Sequence, residues 1–135
     1  MTKLSAVGVL PLFAALPLML GGCAPSGFPA FDRTQSPDDR LPREIVETIE
    51  MGDFDLSTAR AAGEYHGVEF YVLQPREGTG PCIAIADGVY SSISCGAGGR
   101  VEVGTHSGVD VRLAPAYAPV PDGWVSVGDN VVVRD

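Results

Sequence analysis

The stretch CIAIADGVYSSISC, residues 82–95, predicts a β-hairpin closed by a disulfide. Two apolar runs, 83–86 and 90–95, flank Asp87 and Gly88, a pair of residues typical of hairpin turns. If Gly88 and Val89 form the centre of a two-residue type II′ turn, Cys82 lies directly opposite Cys95. Opposed cysteines on neighbouring strands are close enough to be joined by a disulfide. The chain has no CxxC redox spacing, so a structural bridge is predicted.

The residues on both sides of this hairpin predict more short strands. Runs 100–104 and 109–113 flank a turn at 105–108, and the side chains alternate between apolar and charged. The apolar face would carry Val101, Val103, Val109, Val111 and Leu113, and the other face Glu102, Asp110 and Arg112. Runs 58–63 and 68–73, and runs 124–127 and 131–133, predict two further pairs. About eight short strands predict a mainly β domain, a small antiparallel sandwich or open barrel.

One short helix is predicted before the strands. Pro42 opens a segment that places Ile45, Val46 and Ile49 at i, i+1 and i+4, and Gly52 follows the segment. Proline in the first turn and glycine at the exit are typical of helix ends, which predicts a helix of two to three turns. A helix this short is stable only when its apolar stripe docks on other residues.

The N-terminus has the pattern of a secretory signal. Lys3 precedes an uncharged run rich in leucine and alanine, which ends in Leu20-Gly21-Gly22-Cys23. These four residues resemble the lipobox of bacterial lipoproteins. The resemblance implies that residues 1–22 are removed and that Cys23 carries a diacylglyceryl anchor with acyl chains such as palmitate. The protein would then be held on the outer face of the cell membrane.

An uncleaved membrane helix is the alternative for this segment. The uncharged run approaches the roughly 20 residues that span a bilayer. Pro11 and Pro17 lie within the run, and proline disrupts helical hydrogen bonding. The lipoprotein interpretation is therefore favoured, and both interpretations place the rest of the chain outside the cytoplasm.

The predicted organisation has three parts. A signal peptide, 1–22, is followed by a lipid-anchored flexible linker, 23–40, and by a β domain with its short helix, 41–135. The linker is predicted from its content of proline, serine and glycine. Phe28 and Phe31 could enter the membrane interface or dock on the domain, but loose hydrophobic side chains near the anchor are the favoured interpretation.

A second resemblance concerns the predicted β domain. Its motifs are, in order, Leu41-Pro42, Ser57-Thr58-x-Arg60, His66-Gly67-Val68-x-Phe70-Tyr71-Val72, Cys82-Ile83, Cys95-Gly96, Pro121-Asp122-Gly123-Trp124 and Gly128-Asp129-Asn130-Val131. This order resembles small extracytoplasmic proteins of actinobacteria. The motifs mark a fold, and the resemblance implies no particular activity.

The charge of the chain argues against one class of partner. It has 9 basic and 17 acidic residues, for a net charge of −8, and its only lysine is Lys3. Removal of the signal peptide would therefore make the mature chain still more acidic. Such a surface repels nucleic acid, which excludes a nucleic-acid partner.

Few residues suggest a catalytic or metal-binding site, and no cofactor or metal is predicted. His66 and His106 fall in predicted turns without HxH or HExxH spacing. A metal-binding cluster of Glu64, His66 and Glu69 is the less favoured interpretation.

The preferred hypothesis for the function is a noncatalytic module that binds an envelope protein, glycan or small ligand, or has a structural role. An exposed aromatic patch containing Tyr65, Tyr71, Tyr90 or Tyr117 would support this binding hypothesis. The alternative is an extracytoplasmic enzyme with a site built from His66, Asp87 and His106.

Overall fold

The computed structural model describes residues 27–48, 50–78 and 80–135. These residues form eight strands in two four-stranded antiparallel sheets, preceded by one short α-helix. The predicted mainly β class is thereby confirmed, and within the described ranges the sheets pack as a sandwich without closing into a barrel. The predicted signal peptide, Cys23 and the start of the predicted linker lie outside the described residues.

The first sheet is a meander with the strands in chain order. It contains β1 (Phe54–Tyr65), β2 (Val68–Pro75), β3 (Cys82–Ala86) and β4 (Ser92–Cys95). Cys82 pairs with Cys95 and Ile85 with Ser92, which is the register that the symmetry of the hairpin predicts. The two sulfur atoms lie 1.99 Å apart, at disulfide bonding distance.

The turn of this hairpin differs from the prediction. A two-residue turn is wrong, because regular pairing stops at Ile85 and Ser92 and a 3-10 turn spans Gly88–Tyr90. The amide of Tyr90 donates to the carbonyl of Asp87 over 3.1 Å. The register is unaffected because the longer loop is centred on the same point of the chain.

The second sheet has the order β5 (Val101–Gly104), β6 (Asp110–Leu113), β8 (Val131–Arg134) and β7 (Val125–Ser126). The predicted alternation is confirmed, since Val111 and Leu113 have no exposed surface while Glu102 is exposed. On the outer face, Nη2 of Arg112 donates to Glu102 over 2.8 Å, and the guanidinium of Arg112 lies 4.5 Å from the ring centre of Trp124.

Two apolar clusters stabilise the fold, one on each face of the first sheet. The cluster between the sheets contains Phe28, Val68, Phe70, Val72, Ile83, Ile85, Val109, Val111, Leu113, Val131 and Val133. The cluster on the outer face contains Ile45, Ala59, Tyr71, Leu73, Cys82 and Ala84. Because both faces are covered, β3 is apolar at every position instead of alternating.

The helix α1 (Arg43–Thr48) covers the outer face of the first sheet. It is shorter than predicted, and Ile45 alone among its described apolar residues is fully buried. Val46 is 41 % exposed, so the predicted stripe is wrong at this position. Ile49, the third residue of that stripe, lies outside the described residues.

Residues 27–40 form a segment docked on the domain, which we call the N-terminal strap. The prediction of a flexible linker is wrong for these residues, because Phe28 is only 5 % exposed within the intersheet core and Asp39 only 1 % exposed. The carboxylate of Asp39 accepts a hydrogen bond from Nη2 of Arg33 over 2.7 Å and from the amide of Ala61 over 2.9 Å. The guanidinium of Arg33 holds the pKa of Asp39 well below its usual range.

The strap also covers the free edge of the first sheet. β1 is an edge strand, and the amide of Ala61 donates to Asp39 instead of to a further strand. The buried guanidinium of Arg60 donates from Nη2 to the carbonyl of Arg33 over 2.9 Å and from Nη1 to the carbonyl of Ala59 over 2.8 Å. Covering an edge in this way prevents it from pairing with another chain.

Among the described residues, no helix has both the length and the apolar character needed to cross a membrane.

Candidate functional site: the hairpin-tip surface

Two loops, one from each sheet, meet at one end of the sandwich. The loop between β3 and β4 supplies Asp87, and the turn between β5 and β6 supplies Ser107. Oδ2 of Asp87 accepts from the backbone amide of Ser107 over 2.9 Å, and Oδ1 accepts from the Ser107 hydroxyl over 2.5 Å. One carboxylate therefore fixes the two loops to each other.

An exposed aromatic pair lies next to this link. The rings of Tyr90 and His106 are stacked with their centres 3.5 Å apart and their planes 17° apart. Tyr90 is 56 % exposed and the neighbouring Val89 is 80 % exposed. We call Asp87, Val89, Tyr90, His106 and Ser107 together the hairpin-tip surface.

The hydrogen bonds of Asp87 stabilise its ionised form. The hydroxyl of Ser107 lowers the pKa of the carboxyl most, and the Ser107 amide and His106 lower it further against the effect of partial burial. Asp87 is therefore ionised at neutral pH. Since Ser107 donates directly to Asp87, the histidine does not lie between the hydroxyl and the carboxylate, as a Ser-His-Asp triad requires.

A second stacked pair occurs in the turn between β1 and β2. The rings of Tyr65 and His66 are 4.0 Å apart with an angle of 10° between them. His66 has a φ of 50°, within the left-handed region that tight hairpin turns use. The hydroxyl of Tyr65 donates to Oδ2 of Asp135 over 3.0 Å, and this hydrogen bond raises the pKa of the phenol.

The residues of the alternative enzyme hypothesis are only partly brought together. Asp87 and His106 belong to the same surface, and the charge of His106 contributes to the lowered pKa of Asp87. His66 instead stacks on Tyr65 of its own turn. In the described part of the chain, no three histidine, cysteine, aspartate or glutamate side chains are grouped to hold a metal ion.

The tyrosines that were expected to form an aromatic patch are spread over the molecule. Tyr71 is buried under the helix at 7 % exposure, and its hydroxyl donates to Glu69 over 3.4 Å. Tyr90 and Tyr117 are both exposed, but Tyr90 lies between β3 and β4 of the first sheet and Tyr117 between β6 and β7 of the second. Tyr90 alone of these four belongs to the hairpin-tip surface.

Sequence reasoning missed Ser107 and the stacking of Tyr90 on His106. Asp87 and Ser107 are 20 residues apart. Their contact depends on how the two sheets pack, and no local spacing in the chain indicates it. The only available signal was that both residues fall in hairpin loops.

No family model matches this chain, and no curated protein or solved structure is significantly similar to it. The structural class of the chain is therefore described from its own fold. It is a small antiparallel β-sandwich whose β3–β4 hairpin carries a cysteine pair at disulfide distance.

Proposed function

We propose that this protein is an envelope lipoprotein, acylated at Cys23, whose noncatalytic β-sandwich binds an envelope protein or glycan through the hairpin-tip surface. The observation that carries the binding role is the exposed stack of Tyr90 on His106, held by the link between Asp87 and Ser107. The lipobox resemblance at Leu20-Gly21-Gly22-Cys23 supports the proposed lipid anchor. The cysteine pair at disulfide distance supports an oxidising location outside the cytoplasm.

Preorganisation supports the binding role. Binding is weakened by the entropy lost when side chains and loops become ordered, and a surface that is already fixed loses less. Here both loops are joined by Asp87 and the tyrosine ring already rests on His106. Tyrosine is enriched in interfaces because its ring offers a large apolar area and its hydroxyl a polar contact.

The anchoring is tested by the mass of the mature chain. We expect wild-type protein from the membrane fraction to begin at Cys23 and to carry acyl mass. The Cys23→Ala variant should lack that mass, because the modification requires the thiol. Intact-mass spectrometry makes the measurement. Recovery of a chain that still begins at Met1 would favour the uncleaved membrane helix instead.

The binding role is tested by photocrosslinking in living cells. A benzophenone amino acid in place of Val89 leaves the stack of Tyr90 on His106 in place and is expected to give a discrete adduct with a protein partner. Tyr90→Ala in the same chain should abolish the adduct because it removes the stacked ring. A probe at Val125, 54 % exposed on the second sheet, is the control.

A glycan partner is tested in parallel by co-sedimentation with purified cell-wall sacculi. Wild-type protein is then expected in the pellet, and Tyr90→Ala in the supernatant. The binding role is wrong if adducts form equally at positions 89 and 125 and Tyr90→Ala changes neither assay.

A further inference from the structure

In the exposed loop between β6 and β7, Asp122 is the one charged residue. Residues 114–121, between β6 and β7, read Ala-Pro-Ala-Tyr-Ala-Pro-Val-Pro, and we call them the proline arm. Tyr117 is 72 % exposed and Val120 is 50 % exposed. The arm thus offers apolar side chains to its surroundings in a chain whose net charge is −8.

The start of the N-terminal strap lies on this arm. The amide of Ala116 donates to the carbonyl of Gly27 over 2.7 Å, and Nδ2 of the buried Asn130 donates to the same carbonyl over 2.7 Å. Gly27 has a φ of +76°, and a Cβ placed on it would lie 2.9 Å from Cε1 of Tyr117. The chain therefore enters the described fold directly beside Tyr117.

The position of Gly27 limits the distance between the arm and Cys23. Ala24, Pro25 and Ser26 alone separate Cys23 from Gly27. Four residue steps reach at most about 14 Å even when fully extended. Acyl chains on Cys23 would hold the arm close to the surface of the bilayer, because residues 27–40 are docked on the domain and add no length to the tether.

We propose that the proline arm lies in the membrane interface, with Tyr117 and Val120 in contact with the lipid. This inference rests on the proposed acylation of Cys23. Tyrosine favours the interface because its ring is apolar and its hydroxyl remains hydrated. The nearby Asp122 and Asp129 are acidic, so the arm fits neutral headgroups better than anionic ones.

This placement also orients the hairpin-tip surface. β6 connects the turn that carries His106 and Ser107 to the proline arm, so the turn and the arm lie at opposite ends of one strand. At about 3.3 Å per residue, the four residues of β6 alone span roughly 13 Å between them. With the arm on the lipid, the hairpin-tip surface points away from the membrane, where a partner can reach it.

The test uses purified, acylated full-length mature protein in phosphatidylcholine vesicles that contain nitroxide-labelled phosphatidylcholine. A fluorescent probe is attached at Tyr117→Cys, and the matched control carries it at Val89→Cys, which is similarly exposed at 80 %. We expect the nitroxide to quench emission at position 117 and to leave emission at position 89 unchanged. Val120→Cys provides a second position on the arm if Tyr117→Cys fails to fold.

The outcomes separate this inference from the proposal on which it rests. Absence of acyl mass on Cys23 contradicts the anchoring itself. Acyl mass on Cys23 with no quenching at 117 or 120, or with equal quenching at 89, overturns the placement of the arm and leaves the anchoring intact.

Discussion

Replacing Phe28 by alanine is expected to lower the free energy of unfolding by about 3 to 5 kcal/mol, the usual effect of removing a buried aromatic side chain from a core. The ring of Phe28 is 5 % exposed and belongs to the apolar cluster between the two sheets. A phenylalanine in a flexible linker would contribute almost nothing. Denaturant unfolding followed by the fluorescence of Trp124 measures the difference.

Tyr117→Ala is the matched control, because it also removes an aromatic ring close to Gly27. Its ring is 72 % exposed, so the free energy of unfolding should change by no more than about 0.5 kcal/mol. If Phe28→Ala does not accumulate as folded protein, Phe28→Leu should show a smaller loss. Equal unfolding free energies for Phe28→Ala and Tyr117→Ala would contradict the docking of the strap.

Removing the bridge in the double variant Cys82→Ala/Cys95→Ala should lower the free energy of unfolding by about 3 kcal/mol in the chain-entropy model. The sequence separation of 13 residues sets that value, since cross-linking restricts the unfolded chain. Alanine is chosen because Cys82 has no exposed surface and a serine hydroxyl there would need a hydrogen-bond partner.

The wild-type chain supplies an independent comparison. Reductant should lower its unfolding midpoint to that of the double variant, and the double variant should not respond to reductant. Non-reducing peptide mapping should recover Cys82 and Cys95 in one linked fragment. Free thiols at both positions in protein secreted through the envelope would show that the bridge does not form.

Docking of the strap changes the expected relation between the domain and the membrane. A linker spanning 23–40 would let the domain rotate freely at some distance from its anchor. With residues 27–40 packed through Phe28 and Asp39, a lipid on Cys23 would hold the domain close and with one end towards the bilayer. Residues 27–40, which the composition assigned to the linker, therefore pack on the β domain that was predicted to begin at Leu41.

Local patterns in the sequence determined most of the β-sandwich. The symmetry of residues 82–95 predicted the pairing of Cys82 with Cys95, and the alternation from Val101 to Leu113 predicted which side chains of β5 and β6 face the core. These features depend on neighbours within a hairpin, where a period of two and a short connection fix the register. The predicted length of the hairpin loop was wrong, since a 3-10 turn spans Gly88–Tyr90; in this loop Asp87 also accepts a hydrogen bond from Ser107 of the other sheet.

The docking of the strap and the assembly of the hairpin-tip surface could be seen only in the tertiary structure. Prolines and serines in residues 27–40 are typical of a linker, yet Asn130 binds the carbonyl of Gly27 across a separation of 103 residues. The stack of Tyr90 on His106 likewise joins loops of two different sheets. The physical reason is the same in both cases: these contacts form only after the sheets have packed, so no local period or spacing in the chain encodes them.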